Sequence, residues 1–326
     1  MIKTVAISFF SVFLAVTSIA VAKSETSKLE RVVKAKTAHD FYNDILNSYQ
    51  KQDWKGVVFH AKQLLTTYAE SPFNAEAFYY KGVAYYNLKD YDIANEAFTK
   101  YLRNETTPKF FEDAIEFKFR IAERFYEGAR IHLLGFEKLP KVFSSKEEAL
   151  AIYEEIITTL PRHDLTAKSL YKKGCILCDI NDYKLSVEAF QTLIRRFPKH
   201  YLAPEGFLGI QKVYLKQCEE EFPDPDILQL ADINLQKFKE YFPGEPRAEE
   251  VKNMLIQMED RFAKDLFETG NFYERTKKED AAIMYYTSVL AQYPHSMYAD
   301  KSQKSLEKLQ RKKMIDSTKN SKKTKK

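Results

Sequence analysis

What most restricts this chain is a recurring segment end with fixed spacings in front of it. Thr107-Pro108, Leu160-Pro161, Phe197-Pro198, Phe242-Pro243 and Tyr293-Pro294 close segments 37 to 53 residues apart, and Tyr68-Ala69-Glu70-Ser71 closes an earlier one without a proline. An alanine stands twelve residues before three of these prolines (Ala149, Ala231, Ala282), and a large residue eight before four (Tyr153, Phe190, Leu235, Tyr286). Residues four apart share a helix face, so each segment ends in an amphipathic helix that proline stops. Upstream, the triplet Phe78, Gly82, Tyr85 at i, i+4, i+7 recurs as Leu170, Gly174, Leu177 and as Leu266, Gly270, Tyr273. A glycine at a crossing lets two helices approach closely while the large residues fill the space around it. The connectors repeat too, as Gln52-Asp53-Trp54, Lys89-Asp90-Tyr91 and Asn181-Asp182-Tyr183. The spacings predict a row of antiparallel helix pairs, without a sheet, from 38 to 310, stretched by insertions at 133–144 and 218–226.

Composition agrees with helix and excludes several classes. There are 9 glycines in 326 residues, under half the usual share of about 7%, too few for glycine-rich phosphate loops. Tyr (21) and Phe (24) abound against a single Trp, which favours broad contact surfaces over a compact enzyme core. No Gly-x-Ser-x-Gly, His-Glu-x-x-His or phosphate-loop pattern occurs. His163, His200 and His295 each follow an inter-repeat proline and mark turns. The expectation is a protein that is not an enzyme and takes no cofactor and no metal. Cys175 and Cys178 form a C-x-x-C, but inside a helical pattern rather than after a strand, where a redox thiol would have its pKa lowered. Zinc needs four ligands, and Cys218 is the only other cysteine.

The net charge of +5 is uneven along the chain. Residues 311–326 hold eight Lys and Arg against Asp316 alone; excluding those and Lys3 and Lys23, residues 24–310 hold 41 basic and 45 acidic side chains. The body is mildly acidic, so nucleic acid is not an expected partner. The basic stretch 311–326 reads as a disordered tail, with contact to anionic lipid as the other reading. At the start, Lys3 precedes an uncharged run from Thr4 to Ala22 that ends Ala20-Val21-Ala22, a small-x-small cleavage site. Residues 1–22 are expected to be an export signal, with an uncleaved anchor as the alternative, and 23–37 a linker.

These residues resemble the tetratricopeptide repeat, which places a bulky residue, Gly, Tyr, Ala, an aromatic and Pro at such offsets. The resemblance implies an all-α, right-handed superhelical solenoid of about six helix pairs. The last segment, Arg261-Phe262-Ala263-Lys264-Asp265-Leu266-Phe267 through Gly270-Asn271-Phe272-Tyr273 and Ala281-Ala282 to Tyr293-Pro294-His295-Ser296, is similar to the closing repeat of the BamD family of the outer-membrane β-barrel assembly machinery. Two departures stand beside it: no cysteine precedes Cys175 to carry a lipid, and six pairs exceed the five usual there. The resemblance implies a periplasmic scaffold at the inner face of the outer membrane, possible peripheral membrane contact, and as partners a β-barrel assembly protein and unfolded outer-membrane protein segments. A generic envelope adaptor in cell division or peptidoglycan work is the alternative.

The resemblance also places a second stripe of the first helices, one residue on from the triplet, along a groove. It reads Tyr42, Leu46, Tyr49; then Tyr79, Val83, Tyr86; then Tyr171, Cys175, Cys178. Tyr42, Tyr49, Tyr79, Tyr86 and Tyr171 are the expected peptide-binding residues, because a rigid amphipathic ring gives contact area at low entropic cost; Asn87 would bond an extended backbone. If export proceeds by cleavage, mass spectrometry of the protein recovered from the envelope finds Lys23 at its N-terminus; Met1 or Ile2 there shows a retained anchor.

Overall fold

The computed structural model describes residues 36–104, 107–133, 137, 139–220 and 224–323. The expected export signal at 1–22 and residues 23–35 of the expected linker lie outside the described residues. The described chain holds thirteen helices and one short hairpin. It divides into two compact units, Met1–Ile152 and Tyr153–Lys326.

The first unit contains α1 (Ala38–Gln50), α2 (Trp54–Thr67), α3 (Asn74–Asn87), α4 (Tyr91–Asn104), α5 (Phe111–Tyr126), the strands β1 (Ile131–His132) and β2 (Lys141–Phe143), and the start of α6 (Lys146–Thr159). Successive helices from α1 to α5 pack on one another, and the first helices of neighbouring pairs also meet directly, α1 on α3 and α3 on α5. The second unit holds the rest of α6, then α7 (Asp164–Asp179), α8 (Tyr183–Arg196), α9 (Leu202–Glu220), α10 (Pro225–Tyr241), α11 (Arg247–Arg275), α12 (Glu279–Gln292) and α13 (Met297–Lys323). There too, α7, α9 and α11 pack in succession while each also packs on its own second helix. The fold is the expected all-α solenoid of tetratricopeptide-type pairs.

The recurring connectors explain the reversals. Gln52, Lys89, Asn181 and Lys277 adopt φ of 56 to 65°, the left-handed conformation that ends a helix. In each case the next residue's N–H bonds back five residues, as Asp53 to Ser48 O, Asp90 to Tyr85 O, Asp182 to Leu177 O and Lys278 to Tyr273 O, all at 2.9 Å. Asp53 and Asp182 then cap the second helix, their carboxylates accepting from the N–H of Gly56 (3.1 Å) and Leu185 (3.2 Å). Turn and cap thus come from adjacent residues.

At three crossings a ring occupies the place of a glycine side chain. A Cβ on Gly82 would lie 2.9 Å from the Phe98 ring, on Gly174 2.7 Å from Phe190, and on Gly270 2.6 Å from Tyr286. Phe190 is held from two sides, since a Cβ on Gly209 would also come within 2.7 Å of it. In the second unit Phe190 belongs to a core that runs from Tyr183 through Phe207, Val213 and Phe238 to Met258 and Val289, and Tyr286 to a second cluster with Ala282, Leu306 and Leu309.

Three features lie outside what the sequence spacings predict. A sheet does occur, the two-stranded antiparallel pairing of Ile131 with Phe143, in which the residues just before the 133–144 insertion pair with its far end. Tertiary contact holds it: buried His132 places its backbone N–H 3.0 Å and its Nδ1 2.9 Å from Asp92, and Lys141 Nζ lies 2.7 Å from Asp90. Second, the first helix of the last pair begins at Arg247 and runs 29 residues, there being no Gly or Pro from 247 to 269. Third, the basic stretch expected to be disordered continues α13 as helix as far as Lys323. Its root is anchored, with Leu306 and Leu309 buried against Ala282 and Tyr286 and Asp260 accepting from the N–H of Met297 at 2.6 Å. No Gly or Pro follows Pro294 to stop a helix already nucleated.

Gly174→Ala recovers about 1 kcal/mol of helix propensity but displaces the Phe190 ring, fixed on both sides, at a cost of about 1–3 kcal/mol. The variant is expected to melt at a lower temperature, and in a Phe190→Leu background the same change is expected to raise it. A Gly174→Ala protein as stable as the parent would show that the crossing is not tight.

Candidate peptide-binding face

The six expected residues do not form one set. Tyr42, Tyr49, Tyr79, Tyr86 and Asn87 lie in the first unit, and Tyr171 in the second. In the first unit the tyrosines belong to a ladder of ring pairs with a regular offset. Tyr42 stacks on Phe73 (centroids 4.8 Å, 16° between planes) and Tyr79 on Phe110 (4.3 Å, 17°). Tyr49 meets Tyr80 edge-on at 5.0 Å, and Tyr86 meets Phe117 edge-on at 5.2 Å. Each pair joins residues 31 apart, and the whole pattern recurs after 37 residues. Two ring pairs therefore bridge α1 to α3, and two more bridge α3 to α5. Such pairs contribute about 0.5–1.5 kcal/mol each beyond their buried area.

Phe73 and Phe110 occupy the N-cap positions of α3 and α5 and make no side-chain capping bond. A polar cap at such a site is worth about 1 kcal/mol; here the position supplies a ring that covers the tyrosine of the preceding first helix. Tyr79 is consequently buried, with 6% of its surface exposed, under Phe110 and against Tyr101 at 5.4 Å. Its ring serves the joint between pairs and is not a contact surface, a correction to the sequence reading. Tyr42, Tyr49 and Tyr86 stay half-buried.

The polar groups of this face are few. The Tyr42 hydroxyl donates to Glu76; burial first, and then this carboxylate, push its phenol well above the ordinary value. Glu76 also faces Lys109 Nζ at 3.7 Å. Asn87 is exposed, and its Nδ2 donates to Val83 O at 2.8 Å, one turn back on α3, so its amide oxygen is the end directed away from its own helix. Aromatic edges, one carboxylate, one ammonium and an amide can hold an extended chain by ring contact and a few hydrogen bonds. The sequence reading missed Phe73, Glu76, Tyr80, Phe110 and Phe117. Their signal was the 37-residue recurrence of Phe73 at Phe110, visible once the non-polar N-caps are noticed.

In the second unit Tyr171 is half-buried and meets Phe190 edge-on at 5.7 Å. The position of Tyr86 is taken there by Cys178, and among the described residues of this unit the ladder does not recur. Cys175 and Cys178 are free and half-buried against the core. His163 and His200 act at turns, each accepting through Nδ1 from the N–H two residues on, at 3.1 and 3.2 Å.

Residues 179–326 match the family model described as outer membrane lipoprotein, YfiO, and residues 76–105 match a tetratricopeptide-repeat model. No curated protein matches the chain. Among solved structures, YrrB, described as a TPR protein with an unusual peptide-binding site, aligns at 14% identity and a TM-score of 0.38 over 70% of this chain and 97% of its own. A tetratricopeptide-repeat protein from Parabacteroides merdae aligns at 15% and 0.36 over 83% and 98%, and PilW, described as a widely conserved type IV pilus biogenesis factor, at 15% and 0.29 over 81% and 97%. The tetratricopeptide-repeat match falls on α3 and α4, the pair that carries Gly82 and Phe98.

Burial pushes the Cys175 thiol up to about 11. At pH 8 about one thiol in a thousand is then the reactive thiolate. Alkylation of Cys175 by iodoacetamide in the folded protein is expected to be slow at pH 8 and to accelerate as pH approaches 11. Rapid modification at pH 7 would contradict the buried placement.

Proposed function

We propose that this protein is a non-enzymatic periplasmic scaffold in the assembly of outer-membrane β-barrel proteins, working at the inner face of the outer membrane. The observation that carries this reading is the match of 179–326, spanning α8 to α13, to an outer-membrane lipoprotein family. In this reading that region holds the barrel-building partner protein. The half-buried tyrosines of the first unit take the extended, aromatic-ending segment of an unfolded barrel protein. The chemistry suits that ligand, because alternating apolar side chains of an extended strand can meet successive ring edges. Glu76, Lys109 and Asn87 are then available for its backbone and its terminal carboxylate.

Replacement of Tyr42, Tyr49 and Tyr86 together by Ala tests the assignment, Tyr79 being left in place because it is buried. The triple variant is expected to bind a synthetic strand peptide ending in Phe more weakly by about 1–3 kcal/mol, the scale of a few aromatic hot spots, with helix content preserved. Unchanged affinity in a folded variant would remove the peptide role from this face. Recovery of the wild-type chain from crosslinked envelopes without any β-barrel protein would remove the assembly role.

A further inference from the structure

Helix α10 carries more apolar surface than its own repeat uses. Ile227, Ala231, Leu235 and Phe238 are buried in the core of the second unit. A second stripe, Leu230, Ile233, Lys237 and Tyr241, follows at i, i+3, i+7 and i+11 and faces outward, with Leu230 46%, Ile233 37% and Tyr241 57% exposed. This stripe forms one wall of a groove of 460 Å³. The opposite wall is the end of α8, with Ile194 and Arg195, and the floor is Phe207, Ile210 and Tyr214 of α9.

The groove is built rather than incidental. Phe207 stacks flat on Phe238 at 5.0 Å, 5° between planes. Buried Asn234 donates through Nδ2 to Phe207 O and to Gln211 Oε1, both at 3.0 Å. Floor and wall are thereby fixed to each other by a buried polar bridge and a ring stack. The groove also differs in charge from the body around it. Its lining holds two cations, Arg195 and Lys237, and no carboxylate, whereas residues 24–310 carry an excess of acid.

We propose that this groove docks an amphipathic helix of a partner protein, apolar on the face turned to Leu230, Ile233 and Tyr241 and acidic on its flanks where it meets Arg195 and Lys237. The stripe from Leu230 to Tyr241 extends about 16 Å along α10, so the occupant is about three helical turns long. Apolar residues at i, i+3 and i+11 along one wall of a groove between two helices suit helix-in-groove recognition, and Lys237 at i+7 with Arg195 selects the charge of the occupant. The site is separate from the tyrosines of the first unit and does not depend on their role.

The test uses the full chain and two fluorescein-labelled synthetic helices with the same leucine stripe, one flanked by Glu and the other by Lys. The Glu-flanked helix is expected to bind, to lose affinity as salt rises, and to bind about tenfold more weakly to Ile233→Glu. The Lys237→Glu variant, at an exposed rim, is expected to narrow or reverse the preference between the two helices and keeps the question decidable if Ile233→Glu loses helix content. The triple tyrosine variant is expected to bind the Glu-flanked helix as the parent does. Absence of binding by either helix, equal binding of both, or affinity untouched by the groove variants would overturn the proposal. Self-association in sedimentation that Ile233→Glu abolishes would overturn it too, by making a second copy of the chain the occupant.

Discussion

The structure depends on rings set into the places of missing Cβ atoms. At Gly82, Gly174 and Gly270 the first helix of a pair comes so close to the second that Phe98, Phe190 or Tyr286 lies within 2.9 Å of where a side chain would begin. Close approach at one point fixes which face each first helix turns toward its own partner. Residues one position on are turned about 100° away and are free to meet the neighbouring pair. Those neighbouring positions carry the tyrosines, so joints between pairs and candidate contact surface arise from the same stripe.

The ladder of the first unit shows how that stripe is divided between stability and contact. Phe73 and Phe110 sit at helix N-caps where a polar residue would help the helix locally. Each instead lies against a tyrosine of the previous first helix, at 4.8 and 4.3 Å. Tyr79 is buried, while Tyr42, Tyr49 and Tyr86 keep part of their rings in solvent. A face assembled this way is rigid before any ligand arrives, which lowers the ordering cost of binding.

Helix pairs, crossings and reversals were legible because each is written in local spacing. Gly82 with Phe98, and Lys89-Asp90 with its left-handed turn, are signals within a single pair. What was not legible depends on contacts between pairs. The burial of Tyr79 follows from Phe110, thirty-one residues on and outside its own pair. The hairpin at 131–143 rests on His132 meeting Asp92 across forty residues, and two or three residues of strand carry too little pattern to announce themselves. The length of α11 is written in the absence of breakers between Pro246 and Gly270, but no repeat spacing marks where that helix begins. The groove on α10 escaped because Leu230 and Ile233 look like ordinary core positions until Ile227, Ala231 and Phe238 are seen to fill that role.

In the proposed function, the ring edges left open along the first helices of the first unit are where unfolded barrel chains lie. A photo-crosslinking amino acid at Tyr49 tests it most directly, with the same group at Phe59 as the comparison, because Phe59 is 57% exposed on the second helix of the same pair. In intact envelopes, crosslinks to unfolded β-barrel proteins from Tyr49 and not from Phe59 would agree with the claim. Crosslinks from Phe59 alone, or from neither while the protein remains folded and in place, would contradict it.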